Sequence, residues 1–104
     1  MRNATEMKEL IEKVEIQSKK FVDTTIEKYG EIFEKDLISH GKFVIDLTHT
    51  SENSAYRDDP FLHPISIGQY NVTIVGRLFE QVFKGMGYNP YYNLDGAVIV
   101  SLKH

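Results

Sequence analysis

The stretch MKELIEKVEIQSKKFVDTTIEKYGEIF, residues 7 to 33, decides how this chain is read. Its apolar and small positions are Met7, Leu10, Ile11, Val14, Ser18, Phe21, Val22, Thr25, Ile26, Tyr29, Ile32 and Phe33. They recur in steps of three and four, which keeps one face of an α-helix apolar for about seven turns. Glu–Lys pairs four apart, at Glu9/Lys13, Glu15/Lys19 and Glu31/Lys35, each add ~0.3 kcal/mol to the solvated face. Asn3 or Thr5 can cap the start, and Gly41 is a natural terminator. Gly30 is the weak point, costing ~1 kcal/mol relative to alanine in a helix interior. We favour one continuous helix over two helices broken at Gly30.

A helix from about Ala4 to Ser39 would be ~50 Å long. A compact domain of this size is only ~30–35 Å across. The helix therefore bends, breaks, or runs past its own domain and packs on another chain. The last option makes Met7, Leu10, Ile11 and Val14 the candidate interface residues, most simply in a two-fold homodimer.

Working outward from that helix, the period changes to two over Lys42–Thr48. Phe43, Ile45 and Leu47 point one way, as in a strand with one buried face. His49 to Pro64 is polar and without period, longer than the usual ~4–6-residue connection. A second helix is expected from a Ser66-x-x-Gln69 capping box, with Ile65 and Tyr70 as its staple. It would run through Ile67, Ile74, Val75, Leu78, Phe79, Val82 and Phe83 to Gly85 and Gly87. The Asn-x-Thr triplets at Asn3 and Asn71 also suit helix caps. The tail reads as a β-hairpin turning at Leu94-Asp95-Gly96, and Pro90 assigns its first arm to a sheet edge. The expected fold is α+β: a two-layer sandwich in the order α-β-α-β-β, with both helices on one face of a three-stranded sheet. The last strand should lie between the other two, antiparallel to both. This is a single domain, residues 1–104, with a long amphipathic helix over 1–40 and a β-α-β-β body over 42–104.

Composition narrows the function classes. A hydrophobic share of 41% and a charged share of 26% fit a soluble globular protein. A net charge of −3 lacks the basic face of a general nucleic-acid binder. Cysteine is absent, which excludes disulfides and thiolate metal sites. No apolar run reaches the ~18 residues of a membrane span, and the charged N-terminus is unlike a signal peptide. The expected location is cytoplasmic.

Candidate chemistry concentrates in the 46–63 segment. Asp46, His49, Asp58 and His63, with Glu52 and Asp59 nearby, are ligand types for zinc, manganese or iron(II). Their spacing matches no established ligand pattern, and polar loops collect such residues as a matter of course. Ile45-Asp-Leu-Thr-His49 resembles the opening strand of cyclase-type metal hydrolases related to kynurenine formamidase. The further His-rich motif of that family is missing and the chain is too short for its fold, so membership is rejected. Nucleophilic and dinucleotide-binding signatures are absent. Tyr88, Tyr91 and Tyr92 on the hairpin are candidates for a protein contact or for base stacking, with few cations nearby to support the latter. The ending from Ile74 to Lys103 resembles many small phage- or prophage-encoded proteins, a likeness too generic to assign any residue a role.

The expected function is a non-catalytic interaction or assembly factor that self-associates through its first helix. Met7, Leu10, Ile11, Val14, Tyr91 and Tyr92 are its interface candidates. The expected partner is a protein, a second copy in the simplest case; no cofactor, membrane or nucleic acid is expected. The rivals are a small metal-dependent enzyme using Asp46, His49, Asp58 and His63, and a weak nucleic-acid-contacting regulator.

Overall fold

The computed structural model describes residues 1–48, 62–94 and 96–102. The long helix α1 spans Ala4–His40 without interruption. Asn3 caps it: the side-chain oxygen accepts from the Glu6 N–H at 2.9 Å, and the side-chain amide donates to the Glu6 carboxylate at 3.0 Å. Gly41 ends it in a left-handed conformation (φ 76°), its N–H donating to the Leu37 carbonyl. Gly30 leaves the helix unbroken because its cost of ~1 kcal/mol is outweighed by Val22, Phe33 and Leu37. Each of these buries an apolar side chain worth ~1.5–3 kcal/mol. The molecule measures 50 × 30 × 23 Å. A 37-residue helix of ~55 Å accounts for the long dimension.

Four strands follow, β1 (Lys42–Asp46), β2 (Leu62–Pro64), β3 (Asn89–Asn93) and β4 (Ala97–Ser101), with helix α2 (Val72–Gly85) between β2 and β3. They form one sheet in the order β2-β1-β4-β3. As expected, β4 lies between β1 and β3 and is antiparallel to both. The expected three strands are corrected to four. The end of the stretch read as a loop adds β2, parallel to β1, with Ile45 opposite His63. Three residues ending in proline carry no readable alternation, and pairing with β1 alone makes them a strand.

One face of the sheet presents Phe43, Ile45, Val98, Val100 and Tyr92 to α1 and α2. Val22, Phe33 and Leu37 of α1 and Val75, Phe79 and Phe83 of α2 complete the core. Phe33 stacks on Phe43 at 4.3 Å, and both meet Phe83 edge-on. The expectation that β1 buries one face only is also corrected. Val44 and Asp46, on the face away from the helices, are buried as well. β1 is an interior strand flanked by β2 and β4.

The start of α2 differs from the Ser66 capping box. Gly68 adopts a left-handed φ of 57°, which a helix cannot continue through. The cap is Asn71, whose side chain accepts from the Ile74 N–H at 3.1 Å. Ile65 and Ile67 are buried ahead of it as part of the connecting segment. At the other end, Gly87 is left-handed (φ 93°) and the Tyr88 N–H closes on the Phe83 carbonyl.

Ser18 is an anomaly in the buried stripe. Its hydroxyl is buried with no hydrogen-bond partner among the described residues, whereas Thr25, about two turns later, donates to the Phe21 carbonyl at 2.8 Å. An unpaired buried hydroxyl costs ~1–3 kcal/mol. Ser18→Ala is therefore expected to stabilise the protein by about 1 kcal/mol, read as a higher urea midpoint at unchanged slope. A lower midpoint would show that the hydroxyl is satisfied.

Candidate functional site

The candidate interface is the N-terminal end of α1. From Ser18 onward the apolar stripe is mostly covered: Ser18, Val22, Thr25, Phe33 and Leu37 are buried and Phe21, Ile26 and Tyr29 half-buried, with Ile32 at its margin 44% exposed. Towards the N-terminus the same stripe opens. Among residues 1–13 only Leu10 is half-buried; Met7 is 37% and Ile11 50% exposed. Val14 marks the boundary, half-buried. The sequence gives no cue to that boundary, because the spacing of apolar residues is the same on both sides of it. It is set by where the sheet and α2 end.

Both edges of the sheet are blunted against further strands. In β3, alternate residues face away from β4. Of these, Pro90 has no N–H, and the Tyr92 N–H donates to the Glu80 carboxylate of α2 at 2.9 Å. In β2, the adjoining Ile65 N–H donates to the Asp46 carbonyl at 2.8 Å, which turns Leu62 and Pro64 outward. Each edge thus carries a proline at an outward position, a device that blocks strand-to-strand association.

The tyrosine pair is divided by strand alternation. Tyr92 is only 5% exposed and belongs to the core of its own subunit, so its assignment to an interface is corrected. Its ring lies against Gly76 and beneath the Arg77 guanidinium, 5.5 Å from the ring centre. Tyr91 points to the other face and is 62% exposed. Tyr88 packs edge-on to Phe83 at 6.2 Å. The three rings therefore form no common platform.

The predicted metal residues are likewise separated. Asp46 sits on the face away from the helices, where its carboxylate accepts from the Thr48 N–H at 3.0 Å and the Thr48 hydroxyl at 2.8 Å. Those bonds organise the chain leaving β1. His63 is on the helix face, with Nε2 2.5 Å from the Asp36 carboxylate of α1 and its ring against Phe33. The register that sets Ile45 opposite His63 leaves Asp46 and His63 on opposite faces. His49 and Asp58, with Glu52 and Asp59, lie outside the described residues. Among the described residues no three His, Cys, Asp or Glu side chains gather where a metal ion could be held. The pairing of His63 with Asp36 ties edge strand β2 to α1; with 26 residues between them, no local pattern announces it.

No helix among the described residues is long and apolar enough to cross a membrane. Compared with known proteins, the chain matches no family model, no curated protein and no solved structure.

Proposed function

We propose that this protein is a non-catalytic assembly factor that pairs with a second copy of itself through the N-terminal turns of α1. The observation that carries this reading is a single apolar stripe, mostly covered from Ser18 onward apart from Ile32, and uncovered over Met7 and Ile11. The prolines at both sheet edges support it by leaving helix packing as the open route to association. A two-fold axis brings Met7, Leu10, Ile11 and Val14 of one copy against the same residues of the other. Eight partly exposed side chains contribute on the order of 10 kcal/mol. Association costs about 4–15 kcal/mol, so the dimer is expected to be micromolar or weaker.

Sedimentation equilibrium tests this. The expected result is a twofold mass at high micromolar protein. Leu10→Lys combined with Val14→Glu should give a monomer with unchanged helical circular dichroism and cooperative unfolding. A wild-type monomer throughout that concentration range removes the proposal. Global unfolding of the double variant would reassign these residues to the core.

A further inference from the structure

The uncovered part of α1 is short. From Ala4 to Val14 it measures ~16 Å, about three turns. Beyond it, Ser18, Val22 and Thr25 continue the same face and are buried. On one side Tyr70 stacks on Phe21 at 5.0 Å. On the other, Glu15 borders a groove that α1 shares with Ile74, Arg77 and Leu78 of α2. The protein's own body therefore fills the space in front of this face from about Glu15 onward, and no partner helix can lie there.

In a parallel pair each helix would run along the other towards Ser18, and both bodies would claim the same space between the helices. In an antiparallel pair each helix leaves past the other's N-terminus, and its body lies clear. The partner's first turn then stops where the body begins, which sets the register. Met7 of one copy lies level with Val14 of the other, and the two-fold axis passes between Leu10 and Ile11. The charges beside the stripe are complementary in this arrangement. One flank carries Glu6 and then Lys13, the other Lys8 and then Glu15, all exposed. Reversal brings Glu6 to the level of Lys13 of the second copy, and Lys8 to that of Glu15, within about two residues. We infer that the second copy docks antiparallel on the first three turns of α1, making the assembly a two-ended rod that holds identical bodies at opposite ends. This arrangement rests on the pairing proposed above. Two molecules 50 Å long that overlap by ~16 Å span about 85 Å.

The chain has no cysteine, so single introduced thiols report which residues face each other. A disulfide needs Cα atoms within about 7 Å. In this register the Met7 residues of the two copies stand ~10 Å apart along the helices, and so do the Val14 residues. With oxidised glutathione at high micromolar protein, Ile11→Cys should cross-link into a dimer. Met7→Cys alone and Val14→Cys alone should not, whereas an equal mixture of the two should give the mixed dimer. Each variant is first shown by sedimentation to be a dimer when reduced. Small-angle X-ray scattering of the unsubstituted dimer should give a maximum dimension of about 85 Å, against roughly 50–60 Å for a side-by-side pair, and it decides the matter even where a substitution weakens the pair. Cross-linking of Met7→Cys or Val14→Cys by itself, or a dimer no longer than about 60 Å, would overturn the antiparallel arrangement while leaving self-association standing. A monomer at sedimentation equilibrium would remove the pairing and this arrangement with it.

Discussion

Gly96→Ala is expected to destabilise the protein by about 3 kcal/mol, the largest effect of any methyl-sized change considered. Two independent costs combine. Gly96 has φ 101°, a conformation that imposes ~1–3 kcal/mol of strain on an L-residue. An added Cβ would also fall 2.1 Å from Thr48 Cγ2. Neither partner is free to yield. The Gly96 N–H donates to the Asn93 carbonyl, the Gly96 carbonyl accepts from the Leu47 N–H at 2.8 Å, and the Thr48 hydroxyl is bonded to Asp46. Against a total stability of ~5–15 kcal/mol, the loss should be plain in the urea midpoint. Thr48→Ser removes the clashing methyl and keeps the hydroxyl, so the Gly96→Ala penalty should fall by about half in that background, leaving the strain at φ. An unchanged penalty would assign the whole effect to the backbone.

Gly76→Ala should also be destabilising, by about 2 kcal/mol, although alanine is favoured by ~1 kcal/mol in a helix interior. Its Cβ would stand 2.4, 2.6 and 2.8 Å from three carbons of the Tyr92 ring. That ring is buried beneath Arg77, and its backbone N–H is tied to Glu80 of the same helix. Overpacking of this kind costs ~1–3 kcal/mol or more. The reverse should hold once the ring is gone. In a Tyr92→Leu background Gly76→Ala should be neutral or stabilising, which a double-mutant cycle reads as a coupling of ~2 kcal/mol. Equal penalties in both backgrounds would mean that the ring contact is not the cause.

The two glycines do different work from Gly30, and only the structure separates them. Gly76 and Gly96 admit a neighbour so close that a methyl would collide; Gly30 faces open space. In the sequence all three are single glycines within or beside periodic segments. The same limit applies to the candidate sites. Tyr91 and Tyr92 are adjacent and chemically identical, yet one is exposed and the other is core. Asp46 and His63 qualify equally as metal ligands, yet β1–β2 pairing sends them to opposite faces.

By itself the sequence determined whatever depends on neighbours a few residues apart. The long apolar period of α1 and its closure at Gly41 follow from residue spacing and glycine chemistry, whereas its continuity through Gly30 rests on the burial of Val22, Phe33 and Leu37 against the rest of the fold. The hairpin follows from its turn, and the edge position of β3 from Pro90. The aptness of Asn3 and Asn71 as caps follows from side chains short enough to accept from their own backbone. Tertiary structure alone decided the short strand β2, the true start of α2, the pairing of His63 with Asp36 and the point where the α1 stripe becomes uncovered. Each of these rests on contacts between residues distant in the chain. The free energy of such a contact depends on what lies across the gap, which no local pattern encodes.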